Sequence, residues 1–412
     1  MVAAMETSPS DDRMLCGIRV LDFTQYLAGP TVTRFMAELG ADIIKVEIAP
    51  GGDPSRMLPY VRDGRSAYFV QQNRGKRSLC VDLAKPEAVD LLRALAAKVD
   101  VVVENFGPGV LDKRGLGYER LREQNPGLIM ASVSAFGRSG PLAGKIGFDL
   151  MAQAFSGLCH MTGEPNGPPQ FVHMGIADVA SGVHAFGAVA AALFHKSRTG
   201  RGQAIDVALV DSLYHMHEVN VQVFVNGGGA YVPMRAGSQH PIAGPYGIYR
   251  GPQGWIALLV LDRQWPAMVA ALGRPDLATD PRFTSNALRG QNRAELKSIV
   301  EEWMQTFVTD AAVLEALEHH RVPAAPVLSV ADTVAHPHFE ARAMIRRVPD
   351  PILGEVTIPG FPLKFSEFPE LPSLVAPLLG EHNAEVLREH LGLDESRVEE
   401  LTERGVLFSE RR

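Results

Sequence analysis

The chain has 412 residues, 46% of them hydrophobic and 21% charged, which is the composition of an ordinary globular protein and enough length for two cores. A formal net charge of −7 leaves no global basic field, so nucleic acid is not the expected partner. Cys16, Cys80 and Cys159 form no CxxC or zinc-ligand spacing, which argues against a disulfide scaffold and fits a reducing compartment.

Taken in chain order, residues 1–13 (MVAAMETSPSDDR) lack the basic start and apolar run of a signal peptide and are expected to form a loose tail. Residues 17–22 (GIRVLD) predict a strand, 32–39 a helix and 42–47 (DIIKVE) a second strand, the unit of a parallel sheet. The pattern recurs with a strand at 78–83, a helix from Pro86 to Ala97, and a strand at 100–104 (DVVVE). Pro86 suits a first helical turn, where its missing N–H would have no partner anyway. A further strand at 128–133 completes an open α/β sheet of the Rossmann-like kind.

Residues 149–158 and 177–195 predict helices, the second rich in Ala, Gly and Ser and therefore expected to be buried against another backbone. Gly200, after the basic HKSR, is a left-handed stop. The most apolar stretch, 185–194, falls short of a membrane span. A strand at 204–210 and a helix at 211–225 follow; then NGGG and a run dotted with Gly and Pro break the rhythm. A strand at 255–260 and helices at 265–272 and 293–307 read as a second unit. The expected organisation is a large α/β domain over 1–205, a linker over 206–229, a smaller α+β domain over 230–321, and a linker with return to the large domain over 322–412.

Chemistry concentrates at two places. Asp178, in HMGIADVASGVHAFG, stands at a helix start among small residues; free N–H groups there would hold a carboxylate ionised and could support an oxyanion. Such an Asp could be a nucleophile or only the cap of its helix. The basic residues Arg74, Lys76, Arg77, Lys113, Arg114, Arg138 and Lys145 could surround a phosphorylated ligand beside the turn VENFGPG, or be solvated loop charges. There is no Walker A loop, no GxGxxG between strand and helix and no GxSxG. His319 with His320, His336 with His338, and His215 with His217 are not spaced for a metal, and no metal site is expected.

Together these strings resemble the family III CoA-transferases (CaiB/BaiF type), which include formyl-CoA transferase and the carnitine CoA-transferases. The likeness runs nearly end to end, through GIRVLDFTQYLAGP, GADIIKVE, NRGKRSLCVDL, VVVENFGPGVLDKRGLGYE, NPGLIMASVSAFGRSGP, GFDLMAQAFSG, the Asp178 segment, HKSRTGRGQAIDVALVDS, RVPAAPV and APLLGEHNAEVL. The resemblance implies that Asp178 is a nucleophile that carries CoA as an aspartyl thioester after a mixed anhydride. It implies CoA contacts at Ala28, Asn105, Phe106, Lys113 and Lys145. CoA thioesters would be substrates and no cofactor would be permanently bound.

Ile48 departs from a phosphate-facing arginine of the formyl-CoA enzyme, Lys85 is one place off the usual lysine, and Leu27 replaces a glutamine that meets the small acyl group. That last change speaks against oxalate and for a less polar or larger acid, with succinyl-CoA a candidate donor. The resemblance further implies an interlocked homodimer acting on acyl-CoA and a carboxylic acid, while the cysteine usage, the tail and the charge lead to the expectation of a cytoplasmic protein without nucleic-acid or membrane partners. Knotted association is ordinarily disfavoured, so the threading rests on the resemblance alone. An α-methylacyl-CoA racemase is the enzyme alternative, although Phe148 stands where those racemases carry a histidine and a displaced base would have to be Asp149 or Asp262. A CoA-binding structural subunit is the non-enzymatic one.

Overall fold

Six short segments rich in branched residues pair as parallel strands: β1 (Arg19–Asp22), β2 (Asp42–Ile48), β3 (Lys76–Val81), β4 (Val101–Glu104), β5 (Ile129–Ser134) and β6 (Gln203–Ala208). These and all other features belong to a computed structural model that describes residues 13–410, so the tail expected over 1–13 lies outside the described residues except for Arg13. The sheet order is β3-β2-β1-β4-β5-β6, with Val20 opposite Ile43 on one side and Val101 on the other. Leu21, Ile44, Leu79, Val102 and Met130 join one buried cluster, as expected of a parallel sheet covered by helices. The edge strand β6 is the exception, with Gln203, Ala204 and Asp206 exposed.

Helix α1 (Ala28–Glu38) joins β1 to β2, and α2 (Pro86–Ala96) joins β3 to β4 with Pro86 in its first turn. Helices α3 (Asp149–Phe155) and α4 (Ile176–Thr199) fall between β5 and β6, and α5 (Leu209–His215) follows β6. The chain therefore builds outward from β1 through β2 to β3 and then restarts on the other side of β1 with β4. That reversal opens a crevice at the carboxyl ends of β1 and β4, the place where open α/β sheets bind ligands.

Helix α4 ends as its sequence predicts, at Gly200 with φ 70° and with Lys196 and Arg198 in the last turn. Its burial differs from expectation. Ala177, Ala180, Ser181, Gly182, Ala185, Val189 and Ala192 form a buried face, whereas Val179, Val183, Gly187, Ala190, Ala191 and Phe194 form an exposed stripe at helical spacing. The helix is also long and apolar enough for a membrane span, 24 residues containing an 18-residue window of mean hydropathy 1.6, which the ten-residue apolar stretch understates. Its small-residue face nevertheless packs on α1, β5 and β6 as the core helix of this unit. Gly182 makes the α1 contact: a Cβ there would stand 2.6 Å from the Ala28 carbonyl oxygen and 2.6 Å from Thr31 Cβ.

Residues 13–156, 172–217 and 338–410 form this first unit, and residues 157–171 and 218–337 form a second. The second unit thus takes in 157–171, a segment the sequence reading left with the large domain. It holds a three-stranded antiparallel sheet of Tyr246–Arg250, Trp255–Leu259 and Ala324–Pro326, with helices Trp265–Leu272, Arg293–Met304 and Asp310–His319 packed around Ile256, Leu258, Met268, Val300 and Leu317. The helix expected over 211–225 is two, α5 and Asn220–Asn226. The chain returns to the first unit at His338, and within it the segment APLLGEHN docks beside β3, where the His382 N–H donates to Ser78 O at 3.0 Å and Asn383 Oδ1 accepts the Cys80 N–H at 2.9 Å.

Replacing Gly182 with Ala forces the α1 backbone away from α4. Chemical denaturation of Gly182→Ala is expected to show a loss of about 1–3 kcal/mol, and Gly182→Val a larger one.

Candidate active site

The loop that follows β1 carries no regular hydrogen bonding of its own and is held by buried charges beneath it. Asp22, fully buried, accepts from the Thr24 N–H at 2.8 Å, from Thr33 Oγ1 at 2.8 Å, and from Lys76 Nζ at 2.9 Å. Lys45 Nζ donates to Thr24 O at 2.8 Å and pairs with Asp53 at 2.9 Å. Asp53 Oδ1 in turn accepts the N–H of Tyr26 at 3.2 Å, which fixes Tyr26 at a φ of 63°. Burial opposes these charges, yet Lys76 and Lys45 keep Asp22 below its ordinary pKa, while Lys76 itself is lowered to about 8 chiefly by burial. From the other side of the crevice, Asn105 clasps the loop: its Oδ1 accepts the Gln25 N–H and its Nδ2 donates to Gln25 O, both at 2.8 Å.

Asp178 sits in the first turn of α4, but it does not cap that helix. Asp149, from the first turn of α3, does so from outside: its Oδ1 accepts the N–H of Ala177 at 2.7 Å and that of Asp178 at 3.2 Å. Asp149 Oδ2 accepts Gln153 Nε2 at 2.6 Å. The Ile176 N–H is taken by Met174 O at 2.7 Å. The expectation that free α4 N–H groups would keep Asp178 ionised is therefore corrected. Those donors are occupied, no described group donates to the Asp178 carboxyl, and burial followed by the charge of Asp149 pushes its pKa up to about 7. Tyr68, on the helix Ala67–Asn73, is raised to about 12 by burial and by the Asp178 charge, so its phenol stays protonated.

Asp178 faces a cavity of about 260 Å³ lined by the loop 25–28, by Asn105, Phe106 and Gly107 after β4, by Val133, Ser134 and Ala135 at the end of β5, and by Gly147, Phe148 and Leu209. Two glycines keep it open. A Cβ on Gly175 would lie 2.5 Å from Leu27 Cδ2, and one on Gly147 would lie 2.8 Å from Ala135 Cβ. The Ala28 N–H, at the start of α1, has no acceptor among the described residues and fronts this cavity.

Of the residues singled out from sequence, Ala28, Asn105, Phe106 and Asp178 meet at this cavity. The Asn105 amide is already occupied with Gln25, so it shapes the pocket before it touches any ligand. Lys113, in the 3-10 turn Asp112–Arg114, and Lys145, in the loop after β5, are exposed, outside the cavity lining, and form no ion pair among the described residues.

The rest of the basic set behaves differently. Arg74 pairs with Glu38 at 2.6 Å, Lys76 with Asp22, and Arg77 with Asp42 at 2.5 Å and Glu389 at 2.6 Å. Arg138 bridges Glu104 at 2.7 Å and Asp112 at 2.5 Å. NRGKRS thus supplies internal ion pairs, neither a phosphate site nor solvated charge. Asp42, Glu389 and His390 approach one another as metal ligands could, but Arg77 already holds the cationic place among them. Asp262 is ion-paired with Arg289. Tyr26, Leu209 and the capping role of Asp149 were not anticipated. GFD at 147–149 was the one available signal, since a glycine two residues before a helix-start Asp marks a tight approach.

Comparison with known proteins places the chain in a family. Residues 15–383 match the model of CoA-transferase family III. The succinyl-CoA:mesaconate CoA-transferase of Haloarcula hispanica is 40% identical over 93% of this chain and 98% of its own, and the succinate–glutarate CoA-transferase of Agrobacterium fabrum is 37% identical over 93% and 98%. The crystal structure of a CAIB/BAIF family protein from Brucella suis superposes with a TM-score of 0.79 at 37% identity, covering 92% of this chain and 99% of that one. The protein belongs to family III of the CoA-transferases and is an enzyme of that class.

Two pH effects follow from Asp178. Because its folded pKa is raised from 3.8 to about 7, it adds stability that is present at low pH and lost as pH rises through 7. Asp178→Asn is therefore expected to melt higher than the native protein at pH 8, by about 1–3 kcal/mol in stability, with the gain shrinking toward pH 5. Asp149→Asn keeps an acceptor for the helix but removes a charge. Where kcat/KM falls about tenfold per pH unit below about 7 in the native enzyme, the variant's fall should move to lower pH, measured as a kcat/KM profile.

Proposed function

We propose that the protein moves CoA from an acyl-CoA donor to a carboxylic acid acceptor with Asp178 as the covalent carrier. The observation that carries this reading is that Asp178 is the only carboxylate in the cavity lining among the described residues and is relieved of capping by Asp149. An ionised Asp178 oxygen adds to the thioester carbonyl and the C–S bond breaks, giving a mixed anhydride and CoA thiolate. The thiolate then attacks the aspartyl carbonyl, the first acid leaves as a carboxylate, and an aspartyl-CoA thioester remains. The acceptor carboxylate attacks that thioester to form a second anhydride, and the thiolate attacks its acyl carbonyl, releasing the new acyl-CoA and free Asp178.

The unengaged N–H of Ala28 is suited to hold the developing oxyanion. A cavity of about 260 Å³ takes an acyl group and the thiol end of CoA, with Phe106 beside it, and leaves the nucleotide outside, within reach of unpaired cations such as Lys113 and Lys145. The names of the relatives support succinyl-CoA as donor and a dicarboxylic acid larger than oxalate as acceptor. Leu27 over Gly175 favours an acyl group with an apolar portion next to the reacting carbonyl. The chain's substrates are thus CoA thioesters and free acids, with no bound cofactor, and its free cysteines suit the cytoplasm.

A homodimer is part of the same reading. Large apolar side chains stand exposed on α4 and near its start, among them Val183 at 43%, Phe194 at 65%, Ile146 at 85% and Phe155 at 60%, and a second copy would cover them.

With succinyl-CoA and a panel of dicarboxylic acids, product acyl-CoA should form and Asp178→Ala should lower the rate by about a thousandfold or more. Full activity in that variant, or loss of α-deuterium from a branched acyl-CoA with no exchange of acids, would contradict the proposal. Light scattering should give twice 44.7 kDa, and Val183→Glu should shift the population to smaller species.

A further inference from the structure

The C-terminal part of the first unit builds a second concave surface around the antiparallel pair Ile345–Asp350 and Gly354–Pro359. A cleft of about 530 Å³ is lined by Arg342, Arg346, Arg347 and Lys364, with Glu370 the one acid in its lining. That volume is within the range of small-molecule sites.

Arg346 is the fixed member. Only 9% exposed, it donates through Nη1 to Glu38 Oε1 at 2.6 Å and through Nη2 to Pro372 O. The same Glu38 oxygen accepts Arg74 Nε at 2.7 Å, so two guanidinium groups share one carboxylate oxygen while the buried Oε2 has no hydrogen-bond partner. Lys364 Nζ is held by Phe361 O at 2.8 Å, a neutral acceptor. Arg342 forms no ion pair among the described residues, and Arg347 pairs with Glu340 at 3.2 Å. Burial, then the charges of Arg342 and Arg346, lower the pKa of Lys364, so the three cations act on one another. Besides the ion-paired Arg347, the lining thus carries three positive groups, Arg342, Arg346 and Lys364, against one exposed acid, Glu370. On a chain of net charge −7 this local excess is a built feature.

We propose that this cleft is a binding site for a multivalent oxyanion of the phosphate class, with Arg346 as its preorganised floor and Arg342 and Lys364 as the adjustable groups that close on the ligand. Arginine and lysine together suit it, since a planar fork and a mobile ammonium can engage several oxygens of one anion. The site is separate from the acyl cavity. Helix α1 begins at Ala28, which lines that cavity, and ends at Glu38, which anchors Arg346, a span of about 15 Å.

The test uses inorganic pyrophosphate on the full-length enzyme, with ionic strength matched by chloride, read by calorimetric titration and thermal midpoint. Native enzyme should bind pyrophosphate and melt higher. Arg342→Gln/Lys364→Gln should bind about tenfold more weakly or worse, yet keep the unliganded midpoint and the KM for acyl-CoA within about twofold. Arg342→Lys/Lys364→Arg, which keeps the charge, should restore binding, and Lys113→Gln/Lys145→Gln should respond like the native enzyme. The proposal is overturned by no response beyond chloride, by a response that survives Arg342→Gln/Lys364→Gln, or by one lost in Lys113→Gln/Lys145→Gln. A raised KM for acyl-CoA in Arg342→Gln/Lys364→Gln would assign the cleft to CoA phosphates, and a changed molecular mass would assign it to a second chain; either result also overturns it.

Discussion

Asp149 holds the N-terminus of α4 from the neighbouring helix, taking the N–H groups of Ala177 and Asp178 in one carboxylate oxygen. A helix start must find acceptors for its first N–H groups, and an Asp in the first turn ordinarily serves them itself. With the task given to Asp149, the Asp178 carboxyl is left without a donor among the described residues and lines the cavity, where burial and the Asp149 charge make ionisation costly. A carboxylate poorly stabilised at rest is a stronger nucleophile than one bound by several N–H groups, and its pKa near 7 still leaves a useful ionised fraction. The contact that secures the helix thus also shifts the ionisation of the residue beside it.

The opposite wall depends on buried charge of another kind. Lys45, Lys76, Asp22 and Asp53 lie beneath the loop after β1 and pin Thr24 and Tyr26 through their backbone groups. Removing one partner from such a set leaves an uncompensated charge in the interior, so the loop and the ion pairs form one unit. Asn105 then ties the loop to the end of β4 across the point where strand order reverses. The cavity is the gap left between these two rigid walls, one built on β1 and β4 and the other on α3 and α4.

Much of the first unit was legible in the sequence because its signals are local. Alternating runs such as DIIKVE and DVVVE, Pro86 at a helix start and Gly200 at a helix end each specify their own element. The resemblance to family III pointed to Asp178, Ala28, Asn105 and Phe106, which line one cavity and which proximity in sequence could not join. What stayed hidden was relational. That Asp149 rather than Asp178 caps α4, and that Arg74, Lys76 and Arg77 are internal ion pairs, depends on partners 28 to 312 residues away or on a neighbouring strand. Helix α4 was expected to be buried from its composition, but small apolar residues run all round it, and composition alone cannot say which face a chain leaves open. The resemblance marked Asn105 as a CoA contact, but not its clasp on Gln25, because that partner lies 80 residues earlier in the chain.

In the proposed cycle the Asp178 carboxyl becomes covalently joined to CoA during turnover. The most direct measurement is mass spectrometry of the peptide containing Asp178 after rapid acid quench of enzyme mixed with succinyl-CoA alone. The account predicts a CoA-sized mass increase on that peptide which disappears when an acceptor acid is added and is absent in Asp178→Asn. An enzyme that exchanges CoA between acids while this peptide stays unmodified, or that carries the adduct on another residue, would contradict it.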